Sequence, residues 1–176
     1  MIGLLFGFGF YLGGIFWISY SLTFDDSFKI LIPFSLILIP IFLGFFSGIA
    51  TLIVGQFINY NFSSILLFAA ALSFTDYIRG KILTGFPWNL WSYSLSWFTE
   101  ILQILNVLGL YAFNLFTITI FTIPAVLIFK ITYKKKFLII ISSLLLIFSI
   151  YVYGNSLINK NKNSLNNYEE ENKFHV

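Results

Sequence analysis

The chain has 176 residues, of which 59% are hydrophobic, 21% aromatic and only 10% charged, too few polar side chains to clothe a water-soluble globule. Its net charge of +3 comes from dispersed basic residues and offers no patch for nucleic acid. With His175 as the sole histidine and no cysteine, it offers neither a histidine-based metal site nor a thiolate nucleophile of its own, and no cofactor motif is present.

In chain order, apolar runs occupy residues 2–22, 29–58, 63–83, 109–132 and 137–154. About 20 apolar residues cross a hydrocarbon core of ~30 Å. The fold class expected is therefore all-α, a polytopic integral membrane helical bundle of about five transmembrane helices, the last somewhat short. The first run has no basic leader and no small-residue cleavage site, so it reads as a helix rather than a signal peptide. Gly3 with Gly7, Gly9 with Gly13, and Gly44 with Gly48 have the spacing of close helix contacts, which makes Gly7, Gly9 and Gly13, with Trp17, structural candidates. Pro33, Pro40 and Pro124 fall inside apolar runs and should bend them unless they sit in a first turn.

The third run ends on Asp76 and Arg79, three residues apart and so on one helix face, followed by Lys81. An ionised side chain at the bilayer centre costs roughly 2.5 to 3.5 kcal/mol on insertion scales, so these residues should pair, reach the interface or serve a substrate. Two readings stay open: an ion pair seats the helix end, with Arg79 and Lys81 snorkelling outward, or Arg79 and Lys81 contact a lipid phosphate. The next segment, residues 84–108, is apolar but broken by Gly85 and Pro87 and carries Trp88, Trp91, Tyr93 and Trp97, rings that favour the headgroup zone. From Leu95 onward, Ser96, Thr99, Glu100, Gln103 and Asn106 recur at helical spacing, which predicts a helix lying in the interface. It serves either as an anchoring belt or as a portal for lipid. The candidate lipid-binding set is Asp76, Arg79, Lys81, Thr84, Gly85, Phe86, Pro87, Trp88 and Trp91.

Gly109 and Asn114 are structural candidates in the fourth helix, Asn114 packing there or hydrogen-bonding across the bundle. Lys130 with Lys134, Lys135 and Lys136 marks a cytoplasmic loop, which places residues 23–28, the aromatic segment and the C-terminal tail outside. Lys29, Arg79, Lys81, Lys160 and Lys162 would then lie near outer ends, so charge alone leaves the orientation open. After Gly154 the composition turns to Asn, Lys, Ser and Glu, and residues 155–172 read as a polar linker.

Thr75-Asp76-Tyr77-Ile78-Arg79-Gly80 running into Thr84-Gly85-Phe86-Pro87-Trp88 resembles the membrane domain of the apolipoprotein N-acyltransferase family, with Asp76 where that family has glutamate. Gly7-Phe8-Gly9-Phe10 with Gly14, Trp17 and Ser21 is similar to its early glycine-rich helix, and Gly109-Leu110-Tyr111-Ala112-Phe113-Asn114-Leu115 to the helix after its loop. The resemblance implies transfer of an acyl chain from a phospholipid to the N-terminal cysteine amine of apolipoproteins. The partners implied are membrane lipids and apolipoprotein, at a multi-pass site in the bacterial inner membrane with the tail periplasmic. In the family the chemistry resides in a nitrilase-like domain with a Glu-Lys-Cys triad. Residues 1–154 would then be the transmembrane domain, 155–172 the linker, and Lys173-Phe174-His175-Val176 the start of that soluble domain. The chain on its own is expected to be inactive, whether a truncated record or one half of a split gene with a separately encoded catalytic domain. The alternatives are a small membrane transporter or channel, and a non-catalytic membrane partner of another subunit.

Overall fold

The computed structural model describes residues 1–59, 61–82, 85 and 87–173. Helix α1 (Ile2–Ile15) tightens into a 3-10 stretch at Phe16–Thr23, and a second 3-10 stretch, Asp26–Leu31, leads into α2 (Ile32–Gly55). Helix α3 (Phe62–Arg79) is followed by an irregular segment holding a 3-10 turn, Trp91–Leu95, and the short helices α4 (Thr99–Leu102) and α5 (Leu105–Leu108). Helix α6 (Leu110–Thr122) ends in the 3-10 stretch Ile123–Leu127, and α7 covers Tyr133–Lys173. Among the described residues, five stretches are long and apolar enough to cross a membrane: Ile2–Thr23, Asp26–Gly55, Phe62–Arg79, Leu110–Leu127 and Tyr133–Asn167. The protein is an all-α polytopic membrane bundle, with no strand among the described residues.

Local chemistry sets several helix ends. Asp25 accepts a hydrogen bond from the Ser27 amide at 2.8 Å, and Lys29 pairs with Asp26 in the same turn. The Asn61 side chain caps α3 by accepting from the Ser64 amide at 3.0 Å. Pro33 sits in the first turn of α2, where its missing N–H costs nothing, and α2 stays continuous through the buried Pro40. Pro124 falls where α6 gives way to tighter turns.

Helix α1 packs on α2, α2 on α3, and α3 on α6. The α1–α2 contact is built on small residues: a Cβ on Gly7 would stand 2.8 Å from the Gly44 Cα and 2.9 Å from the Ser47 Cβ, and one on Gly3 would enter Thr51. The expected Gly9–Gly13 contact is not formed. Both glycines are exposed, and beyond the backbone of α1 itself no heavy atom of the described residues lies within 4 Å of a Cβ placed on either. The reason is rotational, because at ~3.6 residues per turn Gly9 lies about 200° around α1 from Gly7.

The segment expected to form one interfacial helix from Leu95 is instead broken at Gln103. Its α4 packs on α7, with Gly154 directly under the Glu100 carbonyl, while α5 packs on α6, so the chain turns between two supports. Helix α7 lies at the periphery, with 6% of its apolar window buried, and runs without interruption through the polar residues 155–172. At ~1.5 Å per residue, the part beyond Gly154 extends about 28 Å. Residues 174–176, expected with Lys173 to open a strand, lie outside the described residues, and Lys173 is the last described residue of the helix.

Candidate functional site

The chemistry-bearing residues gather where α1 ends, α3 ends and α6 begins. Asp76 is 1% exposed, yet its carboxylate is fully engaged. Its Oδ1 accepts from the Arg79 Nη2 at 3.1 Å and from the Tyr11 hydroxyl at 3.4 Å, and its Oδ2 accepts from the Asn114 Nδ2 at 3.0 Å. The Arg79 guanidinium, itself 2% exposed, lies 5.1 Å from the centre of the Tyr11 ring and donates through Nη1 to the Trp88 carbonyl at 2.8 Å. The Asn114 Oδ1 accepts from the Ser92 amide at 3.1 Å. Residues of α1, α3, α6 and the aromatic loop thus share one buried polar network.

Above this network the loop is held by aromatic stacking. Trp88 stacks on Trp17 at 5.5 Å, and Trp91 stacks on Phe10 at 4.5 Å and on Phe6 at 5.9 Å. Asn89 takes a positive φ of 58° and lies against Gly14, where a Cβ would enter its amide. Gly85 has φ 81°, and a Cβ there would approach the Gly80 carbonyl oxygen at 2.6 Å, so this turn requires glycine. The Tyr93 hydroxyl donates to the Pro87 carbonyl at 3.1 Å. Partial desolvation of that hydroxyl, reinforced by the neighbouring Tyr111, raises its pKa above the ordinary tyrosine value.

Two openings flank the loop. A groove of about 300 Å³ is lined by Gly14, Trp17, Pro87, Trp88, Asn89 and Tyr93. An apolar cavity of about 440 Å³, reached by Trp91, lies between α1, α3 and α6 and is lined by Phe6, Phe68, Leu72, Ile118 and Phe121.

Of the candidate residues, the structure brings together Asp76, Arg79, Asn114 and the Trp88 backbone, with Pro87 and Trp17 at the groove. Lys81 is exposed and apart from the network, its Nζ 5.9 Å from the Tyr77 ring centre. Trp91 faces the apolar cavity rather than the groove. Thr84 and Phe86 lie outside the described residues. Gly109 opens α6 with φ 74° and ψ 169°, a conformation reserved for glycine. Sequence reasoning missed Tyr11, Asn89 and Ser92. Tyr11 has no signature among aromatic residues of an apolar helix, whereas Asn89, next to Trp88 in a broken stretch, carried the turn signal of asparagine.

The family model for the apolipoprotein N-acyltransferase N-terminal domain matches residues 1–123, which contain the whole network. The chain belongs to the apolipoprotein N-acyltransferase family. It is 35% identical over 129 residues to the apolipoprotein N-acyltransferase of Rhodopseudomonas palustris, an alignment covering 73% of this chain and 24% of that protein. To the apolipoprotein N-acyltransferase of Rickettsia prowazekii it is 34% identical over 153 residues, covering 86% and 30%, and to that of Rickettsia typhi 32% over 160 residues, covering 90% and 32%. The chain therefore spans about a quarter to a third of the length of these curated relatives. No solved structure matches it. Membership in the acyltransferase family does not favour the transporter or channel reading.

Proposed function

We propose that this bundle is the part of an apolipoprotein N-acyltransferase that admits and holds the phospholipid acyl donor in the bacterial inner membrane, for transfer to the N-terminal cysteine amine of an apolipoprotein. One observation carries the reading: a single aromatic loop borders both a partly polar groove at the bundle end and an apolar cavity between the helices. A phospholipid needs both environments side by side, a polar margin for its headgroup and an apolar space for its chain. In this reading Arg79, buried at 2% exposure, serves the loop, and Lys81, which is exposed, meets a headgroup phosphate; these positions support the reading.

The nucleophile comes from elsewhere, because this chain has no cysteine. In the reaction proposed, a thiolate attacks the ester carbonyl, the C–O bond breaks, and the lysophospholipid alkoxide leaves with a proton. The lipoprotein amine then attacks the thioester, forming the amide and returning the thiol. The bundle contributes position, which makes the encounter intramolecular. The tail and aromatic loop lie on the periplasmic side in this scheme, with the Lys134 to Lys136 loop opposite.

The test replaces the matching N-terminal region of the Rickettsia prowazekii relative with residues 1–154 and asks whether the chimaera sustains lipoprotein N-acylation when the host enzyme is depleted. Mass spectra of lipoprotein N-terminal peptides should show the amide-linked chain. A chimaera that inserts in the membrane but leaves the amine free would refute the reading.

A further inference from the structure

We infer that Asp76 is a positioning residue: its carboxylate fixes the aromatic loop at two points, Trp88 and Ser92, and so sets the shape of the groove beside Trp17. The groove's use for a lipid headgroup rests on the function proposed above, but the positioning does not. Among the described residues, the two loop groups tied to Asp76 through one intervening side chain are backbone groups, the Trp88 carbonyl and the Ser92 amide. Each is held by a side chain whose orientation is dictated by Asp76.

Arg79 can place Nη1 on the Trp88 carbonyl because Nη2 is anchored on Asp76 Oδ1, the two nitrogens belonging to one rigid planar fork. Asn114 presents its oxygen to the Ser92 amide because its nitrogen faces Asp76 Oδ2. An amide has one accepting end and one donating end, so an acceptor on one side fixes the other. The carboxylate supplies acceptors to both neighbours at once. An amide at position 76 supplies one acceptor, and its NH2 must face either the guanidinium or the Asn114 NH2, donor against donor. One attachment must therefore fail in Asp76→Asn. If Asn114 turns over, its NH2 meets the Ser92 N–H and the loop loses that hold as well. Between the two points, Leu90 is buried at 2% exposure and Asn89 holds φ 58°, so the loop has little freedom to absorb a change at one end.

The four tryptophans provide the readout: Trp17 and Trp88 form the stack beside the first attachment, Trp91 adjoins the second, and Trp97 is 89% exposed and serves as reference. The full chain, labelled with 5-fluorotryptophan in lipid nanodiscs, gives resonances assigned by single Trp→Phe variants. In Asp76→Asn the Trp17 and Trp88 resonances should lose their stacking shift and move toward that of Trp97, and Asp76→Glu, which keeps two acceptor oxygens, should restore them. Arg79→Lys keeps the charge but loses the fork, and should move Trp17 and Trp88 while leaving Trp91 in place. Val126→Ala, a change at a buried residue of the separate core cluster formed with Ile65 and Phe129, should leave all four unchanged. Unmoved Trp17 and Trp88 resonances in helical Asp76→Asn protein would overturn the inference, as would equal movement in Val126→Ala. Should Asp76→Asn fail to fold, Arg79→Lys decides in the same way. Loss of acylation in the chimaera alongside the expected shifts would remove the lipid reading and keep the positioning role.

Discussion

Gly7→Ala and Gly9→Ala make the same chemical change two residues apart on α1 and should move stability in opposite directions. At Gly7 the new methyl would lie 2.8 Å from the Gly44 Cα, 2.9 Å from the Ser47 Cβ and 3.0 Å from the Gly44 carbonyl oxygen. Two of those neighbours are backbone atoms, which no rotamer change can move, so α1 and α2 must separate. Overpacking of this kind costs about 1 to 3 kcal/mol. At Gly9 nothing among the described residues beyond the backbone of α1 lies within 4 Å, and the residue is exposed. Both substitutions gain the helix preference of alanine over glycine, about 1 kcal/mol, so that contribution cancels in the comparison. The difference between the two variants is then the clash alone, about 1 to 3 kcal/mol, with Gly9→Ala at or above wild type. Reversible SDS titration in micelles, followed by far-ultraviolet circular dichroism, measures it. Equal midpoints for the two variants, or the lower midpoint for Gly9→Ala, would refute the glycine-mediated α1–α2 contact.

Asn114→Leu strips the acceptor from the buried Ser92 amide and a donor from Asp76, two losses of about 1 to 3 kcal/mol each, whereas Thr117→Val removes only a bond to the Phe113 carbonyl within the same helix and should cost far less in the same titration. Gly85→Ala and Gly109→Ala force alanine into φ values of 81° and 74°, each costing roughly 1 to 3 kcal/mol, and the thermal midpoint should fall in both. Gly154→Ala drives a methyl into the Glu100 carbonyl and should part α7 from α4; cross-linking between cysteines placed at Ile101 and Ile150, which line one crevice of about 310 Å³, should decrease. Because the chain has no cysteine, a single one at Asn161 or at Lys135 reports sidedness: a membrane-impermeant maleimide should label Asn161→Cys from the periplasm and spare Lys135→Cys.

The spans were legible because length and apolarity alone determine them, and the bilayer tolerates few alternatives. The tightening of α1 into 3-10 turns at Phe16 was not, since Phe16–Thr23, though it carries Ser19, Ser21 and Thr23, has no glycine or proline to signal a break. Glycine spacing identified helix faces without identifying which face meets a neighbour. Gly3 and Gly7 met Thr51 and Gly44, while Gly9 and Gly13 point away from the bundle. The alternation of polar residues from Leu95 read as one helix, but two supports, α7 and α6, divide it. Asp76 and Arg79 were recognisable as a pair from their spacing. Their partners were not, because Tyr11 lies 65 residues from Asp76 and the Trp88 attachment uses a backbone carbonyl, which carries no sequence identity.

Stability alone does not explain that pair. Taking a carboxylate and a guanidinium out of water costs several kcal/mol per ion, and well-packed apolar substitutes of similar volume are often equal or better. The requirement comes from the loop. An irregular backbone at the end of a membrane bundle leaves N–H and C=O groups that no helix satisfies, and lipid offers them no partner. The Trp88 carbonyl and the Ser92 amide are two such groups, and a guanidinium and an amide side chain reach them. A buried guanidinium in turn requires a counter-charge, and Asp76, one turn before Arg79 on α3, provides it within the same helix. The sequence of needs therefore runs from the groove to the irregular loop, from the loop to Arg79 and Asn114, and from these to Asp76. A bundle with no groove to hold open would have no use for the charge.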